Sequence, residues 1–449
     1  MNETQGSESI LPGLQRIAEL AREHPEWAFT NLAQVIDLEL LKEAFERTRK
    51  NGAVGVDGQT AKEYEEELEA NLRALLGRLH TGSYRAPEVR RVYIPKADGR
   101  KMRPIGIPTF EDKVLQRAVV MVLEAIYEAD FIENSYGFRP GKSAHQALEV
   151  IWKESMGVQG GWILEADIQS FFDELNHSQL RSFLDRRVKD GVIRRVINKW
   201  LKAGVLEEGK VWYPEAGTPQ GGVISPLLAN IYLHEVLDVW FEQMVKPLLK
   251  GRSYLIRYAD DFVMIFSVEK DAQRVMEALP KRFGKYGLRL HPDKTRMIPF
   301  NQPPKTKDDD QQPPRGESFD FLGFTHYWGK SRNGSWAVKR RTAQKRFSRA
   351  LKSIKEWCRT NRHLSLVEQW ITLGQKMKGH FNYYGITGNS QKLVNFHYEV
   401  KLIWHKWLSR RSQRGKVTWE QFQRLLEQYP LPPPRAVHSK FRISAKSVV

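Results

Sequence analysis

The sequence predicts an α+β fold with an N-terminal helical extension, and three observations carry that expectation. Apolar residues recur at helical spacing towards both ends of the chain, short β-rich runs gather between them, and a 449-residue chain that is 41% hydrophobic can bury a large core in two or three units. Internal repeats are absent.

The elements follow in order. Leu38, Leu41 and Phe45, then Tyr64, Leu68, Leu72, Leu75 and Leu79, mark amphipathic helices on either side of the Gly-rich loop "NGAVGVDGQT". From Val89 to Pro108, "VRRVYIPKADGRKMRPIGIP" reads as two short strands about an "ADGR" turn, with helix following through Glu128. Strands and helices then alternate as far as "FDFLGFTHYW", interrupted by the polar, Pro-rich loop "NQPPKTKDDDQQPPRG". Beyond Trp336 the chain reads as helices. In "QKRFSRALKSIKEW", Phe347, Leu351 and Ile354 form one stripe and Lys345, Arg349 and Lys352 another, about 200° away around a helix. These patterns divide the chain into an extension over 1–88, a mixed segment over 89–330, a helical segment over 331–415 and a basic tail over 416–449.

Charge narrows the partner. The chain carries a formal net charge of +18, and residues 331–449 hold 25 Lys and Arg against 5 Asp and Glu, so the first 330 residues net about −2. Basic surface of this kind releases counterions from phosphate backbones, which favours a nucleic-acid partner. Six of the 13 tryptophans lie in the same segment, interleaving aromatics with cations as RNA binding requires. Most of those tryptophans are expected in the helical core. No apolar run reaches the roughly 18 residues of a membrane span, and the start "MNETQGSESI" has no secretory pattern, so the expected location is cytoplasmic with no membrane partner. One cysteine, Cys358, excludes an internal disulfide framework and a Cys-rich zinc site, which leaves oxygen ligands for any metal.

The chemistry centres on "LIRYADDFVMIF", where Asp260 and Asp261 stand between apolar strands. Two adjacent carboxylates in such a hairpin repel and lose hydration, at a cost of several kcal/mol that a divalent cation offsets. Magnesium takes hard oxygen ligands, and a third carboxylate would complete a two-metal phosphoryl-transfer site. "WILEADIQSFFDELNH" offers it: Trp162, Ile163, Leu164 and Ala166 form an apolar strand that ends at Asp167. Taken alone, an Asp pair also serves as turn chemistry, and an Asp at a strand end also caps a helix.

In combination, "YADD", the upstream "DIQSFFD" and the intervening "GTPQGGVISPLLANIYL" resemble the reverse transcriptases encoded by bacterial group II introns, over about 400 residues and in family order. The resemblance implies a right-hand polymerase whose fingers start within 1–88, with fingers and a palm carrying an antiparallel sheet over 89–330 and a helical thumb, the maturase domain X, over 331–415. It implies Asp167, Asp260 and Asp261 as catalytic metal ligands for two Mg2+ ions, with Mn2+ as a substitute and the Ile168 carbonyl as a further ligand. Phe172 matches the aromatic gate against the sugar 2′ position, and Gln220 and Gly221 match the segment beneath the incoming nucleotide. Lys96 and Arg103 match the cations that hold the triphosphate, and Lys294 the lysine near the leaving pyrophosphate. Phe321, Leu322 and Gly323 match the primer grip. For RNA contact the resemblance points to Arg139 in "NSYGFRPGKSAH", to Tyr383 and Tyr384 in "GHFNYYGITGN", and to the cationic stripe of Lys345, Arg349 and Lys352. By residue type alone, the two tyrosines read equally well as bundle core.

The implied partners are deoxynucleoside triphosphates, an RNA template with a DNA primer, group II intron RNA and target DNA, the last through the basic tail. No His-Asn-His endonuclease module is expected, and Glu165 stands where relatives often have Asp. Two other readings stay open: a free-standing enzyme of this kind in phage defence or DNA repair, and a polymerase-inactive RNA-binding splicing factor. The complete aspartate set together with Lys96 and Arg103 argues against the second.

Overall fold

The computed structural model describes residues 11–95, 102–207, 210–213, 217, 221–303, 317–331, 333–411 and 416–438. The chain packs as two compact units, one made of Met1–Ala147 with Leu164–Met297, the other of Leu148–Ile163 with Ile298–Val449.

The first unit opens with α1 (Pro12–Glu23) and α2 (Leu38–Arg47), whose N-cap Asp37 accepts from the Leu40 N–H at 2.8 Å. The apolar series from Tyr64 to Leu79 splits into α3 (Ala61–Glu66), begun by a Thr60–Glu63 capping box, and α4 (Leu68–His80). Strands β1 (Val89–Pro95) and β2 (Met102–Ile107) pair antiparallel from Arg90↔Ile107 to Pro95↔Met102. Next comes α5 (Phe110–Asp130), buried on nearly every side and packed against α1 and α2, so it forms the axis of this unit's core. Its all-round apolar surface is what marks a central rather than a surface helix.

α6 (Ala144–Gly157) leads to β3 (Trp162–Ala166), followed by α7 (Phe171–Glu174), α8 (His177–Leu184) and α9 (Gly191–Leu201). Short strands β4 (Val205–Glu207) and β5 (Lys210–Trp212) extend the first sheet to the order β2-β1-β4-β5. α10 (Ser225–Leu233) then runs into π-helical turns over His234–Asp238 and Trp240–Val245. The hairpin of β6 (Ser253–Tyr258) and β7 (Asp261–Phe266) precedes α11 (Glu269–Lys285) and β8 (Arg296–Pro299). A second four-stranded sheet has the order β6-β7-β3-β8, which sets the carboxylate hairpin beside the strand that ends at Asp167.

The second unit holds an antiparallel sheet of β9 (Phe319–Phe321), β10 (Phe324–Lys330) and β11 (Trp336–Thr342) in the order β11-β10-β9. The chain beyond Trp336 is therefore not helical at once. β11 pairs with β10 from Phe324↔Thr342 to Lys330↔Trp336, and helix begins only at α12 (Gln344–Thr360). α12, α13 (Leu366–Tyr384) and α14 (Ser390–Leu408) pack together around Phe347, Leu373, Met377, Phe396 and Trp404, with α15 (Trp419–Gln428) adding Phe422. Trp404 and Trp407 are core as expected, whereas Trp419 is exposed. Among the described residues, no helix is long and apolar enough to cross a membrane.

Candidate active site and its scaffold

The β6–β7 ladder runs from Ser253↔Phe266 to Tyr258↔Asp261, leaving Ala259 and Asp260 as its connection. Ala259 takes a left-handed backbone, φ 57°, which lets the turn close in two residues. Asp261 stands exposed at the first position of β7, Asp260 is half-buried in the turn, and Asp167 is half-buried where β3 ends. Burial pushes the Asp260 carboxyl above the ordinary carboxylate range, and the negative charge of Asp167 adds to the rise, while Arg103 and Arg257 oppose it. Asp167 and Arg103, far from it in sequence, thus both act electrostatically on Asp260. A lysine is there too: the Lys294 ammonium donates to Asp167 Oδ2 at 2.7 Å from the short turn Pro292–Lys294.

Ile168 forms an isolated bridge with Leu290, made by the Gln169 N–H to Arg289 O and the His291 N–H to Asp167 O, both 2.8 Å. Neither bond uses the Ile168 carbonyl. Among the described residues, no group of three or more His, Cys, Asp or Glu side chains is gathered to hold an ion alone. Asp167, Asp260 and Asp261 are thus not gathered as a ready three-carboxylate cluster; magnesium commonly takes only one or two carboxylates and completes its shell with substrate phosphates and water. The donors are hard oxygens, the Asp167 charge is among those that raise Asp260, and the Lys294 ammonium sits on Asp167 where a cation would; the residue chemistry fits the metal.

Beneath the turn lies a charged network that the sequence did not reveal. Arg257 and Asp238 are both fully buried, joined by Nε to Oδ1 at 2.8 Å and Nη2 to Oδ2 at 2.5 Å. Arg257 Nη1 also donates to Asn230 Oδ1 at 2.8 Å and to the Ala259 carbonyl at 3.0 Å. Asn230 Nδ2 donates in turn to the Gly137 carbonyl at 2.7 Å, and a Cβ on Gly137 would collide with the Ala259 backbone nitrogen. The π-helical turn after α10 places Asp238 in this network; such bulges recur at functional sites. His234, pushed down to about 4 by burial, stays neutral beside Asp238. The available signal was an Arg and an Asp each embedded in an apolar run, "LIRYA" and "EVLDVW".

Other expected residues are distributed as follows. Phe171 is buried against Tyr232, while Phe172 is half-buried next to it, leaving part of its ring accessible. Gly221, φ 114°, lies on β2, and a Cβ there would come 2.6 Å from the Gly106 carbonyl oxygen, so close packing requires the glycine. Lys96 and Gln220 lie outside the described residues. Arg139 requires correction. Its guanidinium is buried, donating to both Glu128 oxygens and to the Ile132 and Ser135 carbonyls, so it braces its own loop and has no nitrogen to offer a template.

In the second unit, Leu322 and Gly323 form the left-handed two-residue turn between β9 and β10. Tyr383 and Tyr384, expected on RNA, serve this turn: the Tyr383 hydroxyl donates to the Leu322 carbonyl at 2.8 Å, and both rings pack on Phe324. Lys345, Arg349 and Lys352 are exposed on α12, opposite buried Phe347 and Ile354.

Comparison with known proteins follows the same residues. Residues 94–326, just over half of the chain, match the family model described as reverse transcriptase (RNA-dependent DNA polymerase). The group II intron-encoded protein LtrA of Lactococcus lactis is 40% identical over 227 residues, covering 50% of this chain and 37% of that protein. Protein YkfC of Escherichia coli is 32% identical over 371 residues, covering 72% of this chain and 91% of that protein. The mitochondrial nuclear intron maturase 2 of Arabidopsis thaliana is 31% identical over 191 residues, covering 33% of this chain and 26% of that protein. The segment that carries the aspartates and their scaffold is the segment the family shares, and this chain belongs to the reverse transcriptase family, among the group II intron-encoded reverse transcriptases and maturases.

Proposed function

We propose that this protein is an RNA-directed DNA polymerase that extends a DNA primer on an RNA template, and that it binds a group II intron RNA as a maturase in splicing and mobility. The observation that carries the first part is the sheet order that sets the Asp260–Asp261 turn beside the strand ending at Asp167, inside the segment matching the reverse transcriptase family. The second part rests on the intron-protein relatives and on the cationic helical segment. Residues 89–330 serve as fingers and palm, 331–415 as thumb, and 416–449 as a basic tail towards target DNA.

In the reaction, the primer 3′-hydroxyl attacks the α-phosphorus of a deoxynucleoside triphosphate, its proton is lost, and the bond to the β-phosphate oxygen breaks to release pyrophosphate. Asp167, Asp260, Asp261 and the Ile168 carbonyl would hold two Mg2+ ions, with Mn2+ as substitute. Bound there, the metal supplies charge stabilisation at the attacking and leaving oxygens. Arg103, with Lys96, holds the triphosphate, and Lys294 exchanges its contact with Asp167 for the departing pyrophosphate. Phe172 excludes a 2′-hydroxyl, Gln220 and Gly221 lie under the nucleotide, and the Phe321–Gly323 turn supports the primer. Lys345, Arg349 and Lys352 meet RNA phosphates.

Primer extension on an RNA template with Mg2+ and deoxynucleotides tests the reading, with Asp260→Ala beside wild type. Synthesis is expected to vanish in the variant while RNA binding stays within about twofold. A variant that still extends primers would refute the assignment.

A further inference from the structure

Phe138 combines three properties that the polymerase chemistry assigned above does not use. Its side chain is 56% exposed although Gly137 and Arg139 on either side are buried. Its backbone is left-handed, φ 56°, and among the described residues it is the only aromatic one with positive φ. And it adjoins Gly137, which packs on the Ala259 backbone directly before Asp260.

Nothing about this loop is slack. The Tyr136 N–H donates to the Arg257 carbonyl at 2.8 Å, and the Arg257 N–H donates to Asn134 O at 2.9 Å, so the loop is stitched to the strand that carries the aspartate turn. Asn230 holds the Gly137 carbonyl, and Arg139 is fixed by Glu128 and two carbonyls. The chain therefore fixes every neighbour of Phe138 and leaves the ring standing in solvent, in a conformation that L side chains rarely adopt. Glycine would be cheaper at this position on both counts. Strained backbone held by surrounding structure is concentrated where a side chain must be aimed, and an apolar ring aimed outwards beside a site of nucleotide chemistry has one chemical complement, the flat face of a base.

We propose that Phe138 is a stacking plate for a nucleobase held next to the carboxylate turn. This rests on the polymerase reading for the identity of the bound molecule. The base belongs either to the template strand or to the incoming nucleotide; both present the same π-face.

Photocrosslinking distinguishes the sources and needs no turnover. Full-length protein is bound to an RNA template–DNA primer duplex in Mg2+ and irradiated with 5-iodouracil placed in one arm in the template around the primer end, in the other arm in the incoming nucleotide as 5-iodo-dUTP on a dideoxy-terminated primer. Crosslinking to residue 138 is expected in one arm, lost in Phe138→Gly and restored in Phe138→Trp. The affinity for duplex, or the apparent KM for nucleotide, should weaken about tenfold in Phe138→Gly, the effect of one lost base–aromatic stack, and recover in Phe138→Trp. Because glycine accepts the left-handed backbone, Phe138→Gly should melt no lower than wild type, which separates lost stacking from lost folding. The proposal is overturned if neither arm crosslinks at residue 138, or if the glycine variant keeps both constants within twofold of wild type. Failure of wild-type protein to synthesise DNA while the crosslink persists would overturn the polymerase reading and leave the stacking plate standing.

Discussion

At the scale of single residues, Asp260 and Lys294 set the behaviour of the site before any metal arrives. The folded pKa of Asp260 lies above its unfolded value, chiefly through burial, so the ionised carboxylate costs stability. That cost is absent at low pH, where the group is protonated in both states, and fully present once pH has risen past the folded pKa. Asp260→Asn should therefore raise the melting temperature of metal-free protein at pH 7 to 8, with the gain shrinking towards pH 4. Since metal needs the deprotonated form, the acid limb of the activity profile should lie above the ordinary carboxylate range and move down as Mg2+ is raised. A limb unmoved by Mg2+ would detach the titration from metal binding. Lys294→Met removes the ammonium from Asp167 and is expected to lower the Mg2+ concentration for half-maximal binding, read by calorimetry, while slowing synthesis about tenfold or more if Lys294 meets the departing pyrophosphate as proposed. The aspartates were legible in the sequence because charge inside an apolar run is a local signal. The contact of Lys294 with Asp167, 127 positions away, was not, because only the sheet brings those segments together.

Among the elements, the β6–β7 hairpin depends on the helix behind it. Arg257 and Asp238 are fully buried, and removing one partner leaves a desolvated charge at a cost of about 3 to 5 kcal/mol, whereas replacing both with apolar residues of similar size is often close to neutral. Asp238→Ala and Arg257→Met should each destabilise by that order in chemical denaturation. The pair Asp238→Leu with Arg257→Met should cost far less than the sum, leaving a folded protein whose aspartate turn has lost its Ala259 hydrogen bond. Slow synthesis with near-normal stability in the double variant marks the network as a positioning device; unchanged synthesis would make it only a strut of the fold. The hairpin, β3 and α12 were all readable, since each declares its period within a dozen residues. β11 was not. Its "WAVKRRT" reads as basic helix, yet Arg340 and Thr342 point inwards, Arg340 towards Glu149 at 3.5 Å, and that inward charge is tolerable only because a distant acid meets it. Arg139 misled in the same way: an arginine in a Gly- and Pro-containing loop looks available, and burial with four acceptors cannot be read from its neighbours.

Across the whole molecule, charge is segregated rather than spread, which predicts that RNA binding and synthesis can be separated by mutation. The last 119 residues carry +20 of a total of +18, so the remainder is near neutral and contributes little long-range attraction. Binding driven by phosphate neutralisation falls linearly in logarithm with salt, by about 0.7 per contact on single strands and 0.9 on duplex. RNA affinity should accordingly drop steeply between roughly 50 and 200 mM salt. Lys345, Arg349 and Lys352, exposed along one face of α12, offer a direct measure. Replacing all three with Gln should reduce the salt slope by about 2 to 3 if each meets one phosphate. The same variant should keep its turnover at saturating template, because none of the three lies in the unit that holds the aspartates. Asp260→Asn should show the reverse, an unaltered slope with no synthesis. If the triple variant leaves the slope unchanged, the phosphate contacts lie elsewhere on the basic segment; if the wild-type slope itself is flat, electrostatic attraction is not what this segment's charge is for.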